Sequence, residues 1–142
     1  MIDKFDGNNS FLSNFYPCTV IYDGLTYSSS EAAYQAAKCA NISMRAQFTT
    51  MNPSKAKRMG RNVILRDDWE RVKLNVMKEV LIIKFTTNPD LAEMLLATGN
   101  EQLVEGNTWN DHYWGICNGV GQNHLGKLLE EIRAMLRTIK SM

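Results

Sequence analysis

Residues 27–39 read YSSSEAAYQAAKC, and the first helix of the chain is expected within this stretch. Ser28 and Glu31 have the S-x-x-E spacing of a capping box, in which a hydroxyl and a carboxylate satisfy backbone amides of the first helical turn. The helix is therefore predicted to begin at Ser28. Its small face, suited to close packing against another element, consists of Ala33, Ala36, Ala37 and Ala40.

A second face of the predicted helix is polar. It carries Glu31, Tyr34, Gln35 and Lys38. A stripe with an acid, an amide and an amine is either solvated surface or the wall of a pocket. These residues alone favour solvated surface, because charged side chains on a helix are usually exposed.

Length and composition are those of an ordinary globular protein. The chain has 142 residues, of which 44% are hydrophobic and 22% charged, so a single domain over residues 1–142 is expected. The net charge of +1, from 16 basic and 15 acidic residues, gives no global field. An anionic ligand must then be bound by local groups, and extended nucleic acid is disfavoured as a scaffold partner.

The cysteines and the N-terminus bear on localisation. Cys18, Cys39 and Cys117 are odd in number and form no C-x-x-C pair, which argues against a disulfide framework and a thiolate metal site. The N-terminus has no apolar signal region, and no run approaches the roughly 20 apolar residues of a membrane span. A cytoplasmic protein without a membrane partner is predicted. Nothing in the sequence indicates a particular oligomeric state.

A small β-structure is expected ahead of the first helix. Residues 1–6 and 11–16 are aromatic-rich runs that we interpret as short strands or an edge segment. Residues 19–22 and 25–27 flank Asp23-Gly24, a dipeptide that favours a type I′ turn, so they predict a β-hairpin. A further short strand is expected over residues 102–106.

Capping signals place the remaining helices. Ser43 is expected to cap a helix through residue 50, and Asn52-Pro53 to open another through Gly60. Asp67 and Glu70 form a second capping box before the longest helix, and the last two helices are expected at 90–98 and 124–139. Together these signals predict an N-terminal hairpin and short strands combined with about five or six helices.

Lys84 lies at the apolar end of the longest helix. The two turns before it, containing Val80 and Leu81, are apolar almost all round, which is typical of a buried helix end. Desolvation of the amine would lower its pKa and make it nucleophilic. The alternative is a lysine whose stem packs while its amine reaches water.

A long loop at 107–123 precedes the last helix and is expected to be functional. Residues 121–127 match the first part of a P-loop, but Leu128 replaces the magnesium-binding Ser or Thr, so a nucleotide triphosphatase is improbable. The glycines remain a plausible phosphate cradle before a helix. His112 and His124 lack ligand spacing, so no metal site is predicted.

The remaining candidates for a functional site are six side chains with acidic, basic or aromatic groups: Glu31, Lys38, Trp69, Lys84, Asp111 and Trp114. Carboxylates, lysines and indoles, without a cysteine nucleophile or a metal, favour acid/base or amine chemistry on a flat or sugar-like ligand.

The sequence resembles the NADAR family, also called YbiA-like, in a series of motifs that run in family order over nearly the whole chain. The motifs are FLSNFYP from Phe11, Glu31-x-x-x-Gln35-x-x-Lys38, Trp69, Met77, Lys84-Phe85, Leu103-Val104-Glu105, Asp111-x-x-Trp114-Gly115 and Gly121-x-Asn123-x-Leu125-Gly126.

This resemblance implies a compact α+β domain with the YbiA-like fold, in which the hairpin and short strands pack with the helices. It implies an enzyme that cleaves N-glycosidic bonds at a phosphorylated ribose without a cofactor. It implies two substrate classes: riboflavin-pathway intermediates with a ribosylamino 5-phosphate, and ADP-ribose attached to guanine, including guanine in nucleic acid. It assigns catalysis to Glu31, Lys84, Lys38 and Asp111. It assigns substrate binding to Trp69, Gln35, Asn14, Trp114, Gly121 and Asn123.

Two chemical routes and two other classes of function stay open at this point. Carboxylates could flank the ribose, or a lysine amine could attack C1′ and pass through a Schiff base. Within the second route, Lys84 is the expected nucleophile and Lys38 an electrostatic partner that remains protonated beside Glu31. The alternatives to an enzyme are a module that binds ADP-ribose or NAD without turnover, and a structural or interaction protein.

Overall fold

The computed structural model describes residues 1–142 and has an α+β fold with six α-helices, two short 3₁₀ helices and one two-stranded sheet. The chain forms two compact units. The central unit is Asn14–Asn88, and the terminal unit combines Met1–Ser13 with Pro89–Met142. That residues 1–142 act as a single domain stays a prediction. None of the helices combines the length and the apolar character that crossing a bilayer requires.

The predicted hairpin opens the central unit. Strands β1 (Val20–Tyr22) and β2 (Leu25–Tyr27) pair antiparallel, with Val20 opposite Tyr27. Asp23 and Gly24 have φ angles of 49° and 81°, the two positive values that a type I′ turn requires. The prediction from the Asp-Gly dipeptide is confirmed.

Helix α1 (Ser30–Ala37) follows the hairpin, but its cap is one residue later than predicted. Ser29 is extended and its Oγ accepts a hydrogen bond from the Ala32 amide at 3.1 Å. The hydroxyl of Ser28 instead donates to the carbonyl of Met51, so the capping box with Glu31 is wrong. Every residue of α1 is buried, including the alanines of its small face, whereas Ala40 lies beyond the helix and is exposed.

Three more helices complete the central unit: α2 (Ile42–Gln47), α3 (Pro53–Gly60) and α4 (Trp69–Thr87), with a 3₁₀ turn at Phe48–Thr50. Asn52 caps α3 as predicted. Asn41 caps α2 in place of Ser43.

The start of α4 also departs from the prediction. Asp68 precedes the helix, and its carboxylate binds the guanidinium of Arg66 at 2.6 Å instead of the first-turn amides. The capping box of Asp67 and Glu70 is wrong, because the N-cap position is Asp68, one residue after Asp67, and the carboxylate of Asp68 is taken by Arg66. Helix α4 packs against α1 and β1.

The terminal unit contains a 3₁₀ helix at Gly7–Leu12 and helices α5 (Pro89–Ala97) and α6 (His124–Lys140). The strand expected at 11–16 is not formed. The strand expected at 102–106 is reduced to isolated bridges, because side chains bind its amides: Glu130 accepts from Leu103 N, and Asn123 accepts from Glu105 N.

Helix α6 also secures the end of α5. Gly99 has a φ of 64°, the left-handed conformation that is common just after the end of a helix. Arg133 donates to the hydroxyl of Thr98 at 2.9 Å, and Arg137 donates to the Gly99 carbonyl. Cations at a helix C-terminus complement its partial negative charge.

The shifted cap of α1 gives a testable difference between two neighbouring serines. Ser29→Ala should lower the free energy of unfolding by about 1 kcal/mol or more, since an orphan amide loses its acceptor in a buried first turn. Ser28→Ala should cost less, because it removes a single hydrogen bond at a part-buried site. Urea denaturation of both variants measures the free energies of unfolding. A larger decrease for Ser28→Ala than for Ser29→Ala would support the predicted capping box of Ser28 and Glu31.

Candidate functional site

The polar face of α1 lies inside the protein. Glu31 and Gln35 are only 7% and 6% exposed, so the solvated surface that the residues alone favoured is wrong. Gln35 Nε2 donates to Glu31 Oε1 at 2.8 Å, one helical turn away. A buried carboxylate is costly unless hydrogen bonds compensate it, so this face is a plausible site of chemistry.

Asn14 is tied to the first turn of the same helix. Its carbonyl accepts from the Glu31 amide at 3.0 Å, and its Oδ1 accepts from the Ser30 hydroxyl at 2.9 Å. Asn14 Nδ2 lies 3.5 Å from the sulfur of Met77 on α4. The structure thus brings the predicted residues Asn14 and Glu31 together through one backbone hydrogen bond.

Tyr34 connects Lys38 with Trp69. The rings of Tyr34 and Trp69 are tilted by 56° with centroids 5.2 Å apart, and Lys38 Nζ lies 5.7 Å from the Tyr34 centroid. Trp69 is 5% exposed and packs in the core of the central unit. Its role as a platform for a substrate base stays a prediction.

Burial lowers the pKa of Lys38, an effect that Glu31 opposes and that Arg61 and Lys73 reinforce. The sequence predicted that Glu31 would keep this amine protonated. Desolvation is the larger influence here. The Lys38 amine therefore loses its proton more readily than an exposed lysine.

Lys84 is fully buried. Its Nζ lies 5.1 Å from the centroid of the Phe85 ring and 6.0 Å from that of Tyr16. Desolvation lowers the pKa of Lys84 to about 8, with Cys18 acting in the opposite direction. The predicted desolvation is confirmed, and the alternative in which the amine reaches water is wrong.

The other predicted site residues belong to the terminal unit. Asp111 Oδ1 accepts from the amides of Tyr113 and Trp114 at 3.2 and 2.9 Å, and Asn107 binds both the amide and the carbonyl of Asp111. The structure shows Asp111 as an anchor of its loop. Its catalytic role, like the substrate contact of Trp114, stays a prediction.

Several polar groups at the start of α6 are engaged within the terminal unit. The amides of His124 and Leu125 donate to the carbonyls of Tyr113 and Trp114. The side chain of Asn123 binds Leu103 O and Glu105 N. The phosphate cradle expected from the glycines before this helix stays a prediction.

Gly121 has a structural reason to be glycine. Its φ is 152°, and a Cβ atom there would lie 2.1 Å from the Gly115 carbonyl oxygen. Close approach of two backbone segments therefore requires glycine at this position. Its predicted substrate contact stays a prediction.

Sequence reasoning missed Gly60. A Cβ at this position would lie 1.9 Å from Gln35 Oε1, so the glycine makes room for the amide that binds Glu31. The i,i+4 spacing of Glu31 and Gln35 could have predicted their hydrogen bond. No sequence signal links Gly60 to Gln35. No group of three or more His, Cys, Asp or Glu side chains is placed to hold a metal ion.

The NADAR domain model matches residues 3–137. The chain belongs to the NADAR domain family. An N-glycosidase YbiA of Shigella boydii is 43% identical over 128 residues, covering 87% of this chain and 79% of that protein. An N-glycosidase of Nostoc punctiforme is 36% identical over 137 residues, covering 92% of this chain and 87% of that protein.

Two further similarities extend the NADAR comparison. A riboflavin biosynthesis protein of Vibrio vulnificus is 35% identical over 136 residues, which cover 93% of this chain and 37% of that protein. The NMR structure of the E. coli protein YbiA matches with a TM-score of 0.86 and 37% identity, covering 99% of this chain and 89% of that one. The YbiA-like fold expected from the motifs is confirmed.

The buried Lys84 amine should make stability depend on pH. The folded protein releases this proton near pH 8 and the unfolded chain near 10.5, so the unfolded state binds more protons between these values. The parent should therefore gain about 3 kcal/mol of stability relative to Lys84→Met as pH rises through this window. Below pH 8 both states hold the proton, and Lys84→Met should be the more stable protein because it carries no buried cation.

Urea denaturation from pH 7 to 10.5 measures the difference between parent and variant. Lys55→Met is the matched control, since Lys55 is exposed on α3. Parallel stability curves for the parent and Lys84→Met would contradict the lowered pKa.

Proposed function

We propose that this protein is an N-glycosidase that hydrolyses the bond between a phosphorylated ribose and its base. The observation that carries the proposal is the buried face of α1, where the Glu31 carboxylate is held by Gln35 and followed by Lys38, whose pKa is lowered. Membership of the NADAR domain family and relatives named N-glycosidases support the same reaction class.

Glu31 has the chemistry that the first route needs. Cleavage of the C1′–N bond develops positive charge at the anomeric carbon and requires a proton on the leaving nitrogen. A carboxylate shielded from water stabilises such a charge more strongly than one in solvent. We therefore assign Glu31 to the ribose, with Asp111 as the second acid that the family motifs indicate.

The second route uses an amine. Attack of Lys84 Nζ on C1′ expels the base, the sugar ring opens to a Schiff base, and water hydrolyses this adduct to release the sugar and restore the lysine. Attack requires an unprotonated amine, and a pKa of about 8 leaves a substantial neutral fraction near neutral pH. Lys38 then acts as the electrostatic partner. Because Lys84 is fully buried, substrate entry must uncover its amine.

Two substrate classes fit this reaction: a ribosylamino riboflavin-pathway intermediate, and ADP-ribose on guanine, free or in nucleic acid. The similarity to a riboflavin biosynthesis protein favours the first. The second rests on the family resemblance. A turnover assay with a ribosylamino-pyrimidine phosphate beside ADP-ribosylated guanosine distinguishes them. Calorimetric binding of ADP-ribose without release of base from either compound would favour a binding module.

Three unpaired cysteines, two of them buried, are compatible with the cytoplasmic location that we propose from the cysteine pattern.

Removing the charge of Glu31 should disable turnover. Glu31→Gln keeps the shape of the side chain, so the melting temperature should change little, whereas kcat should fall by about 10²- to 10⁴-fold. Steady-state kinetics and thermal melting measure the two effects. Glu79→Gln, an exposed position on α4, is the matched control and should retain activity. Parental turnover by Glu31→Gln would remove this carboxylate from the mechanism.

Borohydride reduction during turnover should distinguish the two routes. A Schiff base would be reduced to a stable secondary amine, and mass spectrometry should then find the sugar on Lys84. An adduct on Lys38 would reverse the assignment of the lysines. Unmodified lysines after reduction of an actively turning-over sample would leave the carboxylate route.

A further inference from the structure

The Gln35 amide has one orientation that satisfies its neighbour and leaves its own oxygen unsatisfied. Its Nε2 donates to Glu31 Oε1 at 2.8 Å, while its Oε1 is buried and has no hydrogen-bond partner. Rotating the amide would turn its oxygen toward the carboxylate. The charge-assisted bond to Glu31 therefore determines the orientation of the amide. The same orientation leaves Gln35 Oε1 without a hydrogen-bond donor.

Gly60 shapes the other side of this amide. Its φ is not positive, so its backbone conformation does not require glycine, and alanine would ordinarily favour the helix. A Cβ atom would lie 1.9 Å from Gln35 Oε1 and 2.7 Å from Gln35 Cδ. The missing side chain thus allows the amide to pack directly against α3.

We propose that Gln35 is a positioning residue that aims the Glu31 carboxylate, and that Gly60 fixes Gln35 for this purpose. The inference rests on the proposed N-glycosidase function and differs from the substrate contact that the motifs assigned to Gln35. The amide is confined between Glu31 on one side and the backbone of α3 on the other. A carboxylate held in this way keeps its oxygen in place while charge develops at the sugar.

The two residues should act as one unit in kinetics. Gln35→Met removes the donor with little change in side-chain length, and Gly60→Ala displaces the same amide without altering its chemistry. Each should lower kcat about 10- to 100-fold and leave KM within about twofold, because Glu31 loses its alignment and not its charge. The double variant should be no slower than Gln35→Met alone, because the second change acts through an amide that is already gone.

The experiment measures kcat, KM and melting temperature for the parent, both single variants and the double variant, on whichever of the two substrates the parent turns over. Gln47→Met, an exposed glutamine on α2, is the control and should match the parent. Gly60→Ala should lower the melting temperature, and Gln35→Ala in the same chain should remove that loss by clearing space for the new Cβ.

Three results would overturn the inference: unchanged kcat in Gln35→Met, a rise of KM alone, or additive losses in the double variant. A parent without turnover on both substrates would instead refute the proposed function. Side-chain amide hydrogen exchange by NMR tests the contact independently of activity. The Gln35 amide protons should exchange more slowly in the parent than in Glu31→Ala, and equal rates would exclude the contact itself.

Discussion

Removal of a carboxylate from water is the constraint on which the central unit depends. Glu31 retains only 7% exposure, and a charge in that position must be compensated by nearby donors and dipoles. Gln35 supplies one donor, and Asn14 fixes the turn from which Glu31 projects. The fully buried α1, its packing against α3 and the absence of a side chain at Gly60 can all be understood as consequences of holding this group.

The two lysines of the central unit, Lys38 and Lys84, are both desolvated but have different surroundings. Desolvation is the largest cause of the lowered pKa of both lysines. Lys38 ends the helix that carries Glu31, and Glu31 partly restores its basicity. Lys84 instead lies beside the rings of Phe85 and Tyr16. The central unit therefore contains one amine that is electrostatically coupled to an acid and another whose pKa is lowered to about 8.

Short sequence patterns were enough to predict the features that depend mainly on residues close together in the chain. The Asp23-Gly24 turn gave the hairpin, and the apolar end of α4 gave the burial of Lys84. Consecutive serines made the cap ambiguous, because Ser28 and Ser29 both suit the position and tertiary contacts choose between them. Strand 102–106 failed for a related reason, since distant side chains bind the amides that a neighbouring strand would have used.

The candidate site was harder to predict because burial is not a local property. The polar face of α1 has the composition of a solvated surface, and only its packing makes it a plausible pocket wall. Gly60 gave no sequence signal, since its role depends on an amide contributed by another helix. The family motifs include Glu31 and Gln35 without indicating that Gln35 binds Glu31.

Helix α6 begins without a side-chain cap, and the carbonyls of Tyr113 and Trp114 take that place. Two backbone hydrogen bonds therefore join the loop to the first turn of the helix. A rearrangement of the loop would leave two amides unsatisfied, at about 1–3 kcal/mol each where water cannot reach them. Substitutions around Asp111 should consequently destabilise the first turn of α6. A loss of activity in such variants must therefore be distinguished from a loss of folded protein.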